Sequence, residues 1–594
     1  EGGNFYRPLQ TATFFIEAQI AGVKPMVFHI TNILLHCLAC CLIFKVLVEL
    51  KFPKETSLVA ALVYSVHPLF THAVVWVPSR NDLLITIFCL LSFLSFVQYI
   101  NKSSWKYFII HLFTFLLAVF SKETALLFPV VLVLYYYFFV SHKLIIRKSV
   151  YPLIGWIVVI GSFLLVRQSV IGFYWKEEEF GLIPFMKNIL IVPEIFTKFF
   201  FPFKMPVLST FNTFLSIAGI VILIGFIFLI ILNKNKRWSY VIFGLAWFLL
   251  FIVPGSMYRH TYADYFYDYL DHRAYLPMIG ILIVLIELIP NQWVACNKKI
   301  NSYVIVGLIL LLSVLSFNHS RYYKNQLRFW GKAVVDEPKR AGYHLSYAKA
   351  LKDKNMINRA EKHFLKGMAL MPQEKDFSFQ LAEISFTKKN HNKAVEYLKQ
   401  TIAIDPEYFD AYRNLGGTYA NLGNYPEAIS MWRKALELKP QEKELAKDLV
   451  NLYIETSRFD SALALINTKF KGNDYSVMLY DYYLKYGHYY YKLNNFNEAI
   501  NMSLKAMEIN PNNVSVLNNL GTYYLSKGDG ETALSYWNKV ISINPKFIDT
   551  KKNLYMYYYL YKKDYKKAIE LADDLIRNNV QMNPKDLEFL SRYR

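Results

Sequence analysis

Cysteine is scarce: the 594 residues hold five, Cys37, Cys40, Cys41, Cys89 and Cys296. Four lie in apolar runs, the fifth in a short connector, and none follows. A disulfide framework is therefore excluded for the C-terminal part, and no zinc-ligand spacing occurs. The chain also lacks a phosphate-cradling glycine loop, a G-x-S-x-G elbow and an H-E-x-x-H pair. Those absences argue against a cytosolic ATPase or hydrolase. There is no opening Met, and "EGGNFYRPLQ" is not a signal peptide, so the reading expects sequence upstream of Glu1.

Charge is thin in one half only. Residues 1–318 carry 24 Lys/Arg and 14 Asp/Glu; the rest of the chain carries 42 and 31. The first part reads as a membrane half and the second as a water-soluble half. Both are basic, which positive loops and Lys-rich helix surfaces explain better than nucleic acid, so no nucleic-acid partner is expected.

A spanning helix needs about 20 mostly apolar residues. Ten runs qualify, alone or with borrowed flanks: 26–48, 57–67, 83–100, 105–121, 124–140, 151–171, 214–232, 238–255, 274–290 and 302–318. Residues 187–203 hold Pro193, Glu194 and Lys198 in mid-run and read as re-entrant or interfacial. With that segment not crossing, the basic connectors 45–54, 101–106, 142–148, 233–237 and 296–299 all fall on the cytoplasmic side. The long, ionisable connectors then share the outer face with everything after 318.

The C-terminal half repeats itself. Pro338, Pro372, Pro406 and Pro440 are 34 residues apart, as are Pro511 and Pro545. Between them recur Tyr412, Leu415, Gly416, Ala428 and Trp432, then Leu520, Gly521, Ala533 and Trp537, at tetratricopeptide positions. About seven helix pairs should stack into an α-solenoid with a concave, protein-binding face. The tyrosines of "YDYYLKYGHYYYKL" (480–493) fit either that face or packing between helices.

Four polar clusters fall on the outer face: Arg7 with Glu17; His67, Thr71, His72, Arg80 and Asp82; Lys122 with Glu123; and Asp268, Asp271, His272 and Arg273. Ionisable groups at a bilayer are functional suspects. Arg80, Lys122 and Arg273, with Arg7, suit a lipid phosphate, which Arg forks grip in bidentate fashion. The bland alternative is helix-end ion pairing, such as Arg80 with Asp82.

In order, "YRPL" (6–9), "FHITNILLH" (28–36), "HPLFTHAV" with "RNDLL" (67–84), "SKE" (121–123), "FP" with "VLS" (201–209), "DHRAYLPMIG" (271–280) and the repeats resemble the transmembrane-and-tetratricopeptide O-mannosyltransferases, the TMTC family. The resemblance implies a GT-C membrane fold. It implies transfer of a sugar, typically mannose, from a polyprenyl-phosphate donor to Ser or Thr of proteins. Arg7, Arg80, Lys122 and Arg273 would then bind donor phosphate, with His67, His72, Asp271 and His272 lining the pocket. Asp82 and Glu123 are the carboxylates available for catalysis, although the family's base is expected in an outer loop upstream of Glu1. The chain departs from the family at His72, where relatives carry Glu, and after "VLS", where Thr210, Phe211 and Asn212 replace an acidic position.

The resulting expectation is an all-α protein. Residues 1–318 form a polytopic GT-C-like domain, 319–337 a linker and 338–594 a tetratricopeptide solenoid outside the cytoplasm. No metal and no firm cofactor are expected. Partners are the lipid-linked donor, a polypeptide acceptor and a secretion channel met through the repeats. The location is a bacterial inner membrane with periplasmic repeats, or the endoplasmic reticulum with lumenal ones. The alternatives are a polysaccharide ligase or polymerase and a non-catalytic membrane-anchored scaffold.

Overall fold

The computed structural model describes residues 6–140, 146–171, 180–258, 265–289 and 298–593. Most of the basic connector 142–148, and residues 296–297 of the connector at 296–299, lie outside them. The described chain is helical apart from isolated bridges, and it divides into two compact units, Glu1–Pro372 and Gln373–Arg594.

The first unit opens with α1 (Pro8–Ala21), α2 (Pro25–Glu49) and α3 (Lys54–Val66). A proline-started 3₁₀ turn at Pro68–Phe70 and the short α4 (Thr71–Val75) follow, then α5 (Arg80–Lys102) and α6 (Trp105–Ser121). Next come α7 (Phe128–Tyr135), α8 (Ile146–Ile171), α9 (Leu182–Lys187), α10 (Ile191–Phe200), α11 (Thr213–Leu232), α12 (Trp238–Ser256), α13 (Met278–Leu288) and α14 (Lys298–Ser320). Seven described helical stretches are long and apolar enough to cross a membrane, and the pair α3 with 68–75, bent by 52°, could make an eighth. α6 and α13 are apolar but shorter. Ten residues of α10 rise only about 15 Å, half a hydrocarbon core, so this helix is too short to cross.

α5 is the spine. Leu83, Cys89, Leu90 and Phe93 are buried on it, between α2 and α6. Lipid-facing positions elsewhere stay exposed, as on α11, where Phe214, Val221 and Phe228 protrude. The connectors sort to two ends. At one end Tyr240 donates to the Leu50 carbonyl (2.7 Å) and Arg237 pairs with Glu287 (2.7 Å). At the other end residues 67–80, 121–123, 199–212 and 268–273 meet.

Beyond α14, α15 (Gln326–Asp336) leads to the first helix pair of the repeats, α16 (Ala341–Asp353) and α17 (Ile357–Leu370), which belongs to the first unit. The second unit holds six further pairs and a closing helix, Pro584–Tyr593. Large residues fill the gaps that small ones leave: a Cβ on Gly521 would lie 2.4 Å from the Trp537 ring, and one on Gly416 2.3 Å from Trp432. None of the seven tyrosines between 480 and 491 is exposed. Tyr486 stacks on Phe459 at 4.0 Å and Tyr491 on Tyr523 at 4.6 Å. Packing between helices is therefore their role.

Candidate functional site

Arg80 opens α5, and the charges beside it sort in a way a helix dictates. Residues two apart on a helix point to different sides, so Arg80 and Asp82 cannot staple one loop. Arg80 is fully buried and turns toward α1 and α2. Its guanidinium holds the Glu17 carboxylate in a fork (2.8 and 2.9 Å). Nε donates to Asn32 Oδ1 (2.7 Å), and the remaining N–H groups reach Thr13 Oγ1 (3.2 Å) and the Phe28 carbonyl (3.1 Å). All five donors are engaged, and the cation lies over the Phe14 ring. The expectation that Arg80 binds donor phosphate and the alternative that it pairs with Asp82 both give way: it clamps α1 to α2.

Asp82, on the other side, accepts from Lys122 Nζ at 2.7 Å. Lys122 sits in the tight turn between α6 and the 3₁₀ turn Glu123–Leu127, with extended backbone that turns its amine inward. Burial pushes the ammonium below its usual pKa, while Asp82 opposes that shift and Arg7 and Arg273 add to it. The Asp82 Oδ2 atom is buried without a hydrogen bond, 3.8 Å from His272 Nε2. Glu123 is spent: Oε1 accepts from the Tyr6 amide (3.0 Å) and Oε2 from Arg7 Nε (3.4 Å). Glu123 thus positions Arg7 instead of offering a base.

The segment after 268 supplies the opposite wall. Arg273 is half-buried; Nη1 donates to the Gly255 carbonyl (2.6 Å) and the cation faces the Tyr258 ring. His272 and His72 meet edge to face at 5.0 Å, and His72 stacks on Trp76 at 4.6 Å. His272 Nδ1 and His72 Nε2 are both buried and unpartnered. Burial, then His72 and the cations Lys122, Arg273 and Arg7, hold the His272 pKa well below its ordinary value, so it is neutral near pH 7. Three orphaned polar atoms around Asp82, His272 and His72 are unusual, because buried polar groups are nearly always satisfied.

His67 is not in that group. Nδ1 accepts from the Leu69 amide (3.2 Å) and Nε2 donates to the Phe199 carbonyl (2.9 Å), tying the elbow to the end of α10. Asp271 is likewise engaged, with Lys198 Nζ (2.8 Å) on one oxygen and Ser209 Oγ (2.8 Å) on the other. Lys198 also donates to Ser209 (2.6 Å). Next to it, fully buried Glu194 accepts from Tyr269, the Asn212 amide and Ser216. Reading the sequence did not give Lys198, Ser209 or Glu194 partners. The signal was there: a lysine and a glutamate four residues apart in an apolar run demand them.

Among the described residues no three His, Cys, Asp or Glu side chains gather as a metal would require. The site pairs Lys122 with a carboxylate that keeps one open oxygen, and Arg273 and Arg7 lie near enough to act on Lys122 and His272. Such a set suits an anionic leaving group of phosphate type.

Residues 8–166 match the dolichyl-phosphate-mannose-protein mannosyltransferase family. Tetratricopeptide families match 376–408, 409–442, 480–513 and 503–535. Mouse protein O-mannosyl-transferase TMTC3 is 24% identical over 587 residues, covering 88% of this chain and 59% of the mouse protein. The human TMTC3 protein is 23% identical with the same coverage of both chains. The chain resembles the TMTC proteins along most of its length. It spans 59% of the length of these curated relatives. Human TMTC4 is 36% identical over 136 residues, 20% of this chain and 18% of that protein. Among solved structures, the tetratricopeptide protein YrrB, described with an unusual peptide-binding site, is 17% identical over 37% of this chain and 95% of its own, with a TM-score of 0.22. The TMTC likeness has a physical counterpart. Asn32 and His36 of "FHITNILLH" bond Arg80 and Tyr275 (2.7 and 2.6 Å), and Glu123 of "SKE" bonds Arg7 of "YRPL", so the motifs meet one another in the fold.

Proposed function

We propose that the protein is a membrane glycosyltransferase that moves a sugar, most simply mannose, from a polyprenyl-phosphate donor to Ser or Thr hydroxyls of proteins. The observation that carries this reading is the grouping of Lys122, bonded to Asp82, with Arg273 and Arg7 near His272 at one end of the apolar helices. The acceptor oxygen attacks the sugar's anomeric carbon, and the bond from that carbon to the donor phosphate oxygen breaks. The polyprenyl phosphate leaves with the electron pair, and Lys122 and Arg273 offset its charge. Asp82, with its open oxygen, is the described carboxylate best disposed to take the hydroxyl proton, and neutral His272 lies beside it. Arg80 has no part in donor binding.

The charge sorting of the connectors supports an outward-facing site on the same side as the repeats. In this reading the host membrane is a bacterial inner membrane, and the repeats collect extended acceptors or dock a secretion channel. The test is transfer from polyprenyl-phosphate mannose to a Ser/Thr-containing secreted polypeptide by the reconstituted protein. Lys122→Gln or Arg273→Gln should each lower turnover by about a hundredfold, as loss of one preorganised charge does, without loss of the fold. Full activity in both variants would sink the reading. Glycan acceptors used in place of protein would favour a polysaccharide ligase.

A further inference from the structure

We infer that the start of the first tetratricopeptide repeat braces the segment that walls the transferase site, and that Arg340 and Gly342 are positioning residues for this segment, 265–273. The inference takes its chemistry from the proposed function; its geometry stands alone.

Segment 265–273 carries Asp271, His272 and Arg273 but has little structure of its own. Toward the membrane side it has one bridge, Ser209 with Tyr269, and the short 3₁₀ turn that opens at Asp271. Lys198, Ser209, Phe211 and Gly255 hold it from upstream, and a second set of supports comes from residues 70 and more positions downstream. Asp268 Oδ2 accepts from Arg340 Nη2 at 2.7 Å as well as from the Phe211 amide at 2.8 Å, and both charged partners are largely buried. The Gly342 amide donates to the Tyr265 carbonyl (3.2 Å). The approach is close enough to demand glycine: a Cβ there would sit 2.7 Å from that carbonyl oxygen and 2.8 Å from the Phe266 ring. Phe266 packs near Trp330 of α15, whose ring in turn neighbours the fully buried Tyr343.

The residues just before the repeat reach one of the orphaned histidines, His72. Tyr323, just before α15, donates to the Val207 carbonyl (3.3 Å), and its ring lies 5.8 Å from that of His72. Residues 323–343 therefore brace both the 207–211 loop and the 265–273 segment. A flexibly tethered repeat domain would need none of these contacts. Asp268 is five residues before Arg273, so releasing it removes the downstream side-chain anchor of a segment whose later residues are held from upstream, through Tyr269, Asp271 and Arg273.

The experiment uses full-length protein in lipid nanodiscs, with hydrogen–deuterium exchange at 265–273 read beside sugar transfer from polyprenyl-phosphate mannose to a Ser/Thr peptide. Arg340→Gln should raise exchange in 265–273 while leaving α5 protected. It should lower kcat roughly tenfold or more, since small misplacements of reacting groups cost that much, with the KM for the peptide unchanged. Arg340→Lys should recover part of both losses, and Arg413→Gln, which removes a surface pair with Asp410, should change neither. Gly342→Val should act like Arg340→Gln; if it fails to fold, Arg340→Gln decides alone. Wild-type exchange at 265–273 in Arg340→Gln would overturn the inference, and so would raised exchange with unchanged kcat. If wild-type protein transfers no sugar, the proposed function falls, while the exchange comparison still decides whether the repeat braces the segment.

Discussion

Arg80 and Lys122 are both cations held out of water, but they differ in what their hydrogens do. Arg80 gives all five to protein acceptors, with Glu17 taking two of them. Lys122 gives one of its three to Asp82. An anion can reach the second cation and not the first. Replacing Arg80 with Gln leaves Glu17 and Asn32 without their partner, and breaking a buried pair costs about 3–5 kcal/mol. Arg80→Gln should therefore lower the thermal midpoint in detergent sharply while the folded fraction keeps its turnover, whereas Lys122→Gln, which also leaves a buried carboxylate unpaired, should lower both the midpoint and the turnover. The opposite pattern in Arg80→Gln would return Arg80 to the phosphate site.

His272 gives a pH dependence with a definite sign. Its pKa in the folded protein lies well below the ordinary 6.5, chiefly through burial. Above pH 6.5 the ring is neutral folded or unfolded, and contributes no slope. Below it the unfolded chain takes up a proton that the folded chain refuses, so stability falls as pH drops, by at most about 1.4 kcal/mol per pH unit. His272→Gln should reduce the difference in unfolding midpoint between pH 7.5 and pH 5. An unchanged difference would mean that other groups carry the acid sensitivity.

At the scale of elements, the 34-residue period has a backbone signature that proline spacing only hinted at. The turn inside each helix pair places one residue in the left-handed region: Asn355, Lys389, Gly423, Ser457, Asn494, Gly528 and Lys563. Two of the seven are glycine and two asparagine, the residues that tolerate this conformation. Lys389, at φ 59°, pays the steric cost of a Cβ there. Lys389→Gly should raise stability by up to about 1 kcal/mol, net of the greater freedom of glycine in the unfolded chain, as read from chemical denaturation of the full chain. Between Pro440 and Pro511 the period slips by three residues, and the long helix Gly472–Lys492 absorbs the slip. Its tyrosines stack across the enlarged joint, which accounts for their number without invoking a ligand.

At the scale of the whole molecule, the unit boundary at Pro372 falls one repeat later than the break in composition near 318–338. Composition changes where the chain leaves the apolar phase; cohesion changes where contacts thin out. Repeats in the second unit contact only their neighbours, so damage there should stay there. Trp537→Ala removes a buried ring that fills the space beside Gly521. It should cost about 3–5 kcal/mol and unfold the C-terminal repeats first, seen as early exchange beyond 511, with transfer to a short free peptide unaffected. Loss of that transfer would mean that the distal repeats support the chemistry.

The all-α class, the apolar stretches and the repeats were legible because each is local: periodicity and length within about 35 residues decide them. Some of the site was equally legible and misread, since Arg80 and Asp82 lie two apart on a helix and cannot face one another. The remaining pairings run over long separations: Asp82 with Lys122 across 40 residues, Lys198 with Asp271 across 73, Asp268 with Arg340 across 72 and Arg7 with Glu123 across 116. Each cation had several carboxylates of suitable charge to choose from in the sequence. Charge alone does not rank them, because the attraction becomes specific only when packing fixes distance and removes water. The sequence by itself determined which side chains would be forced to find partners. Only the tertiary structure decided which partners they found, and so which cations remained to meet a phosphate.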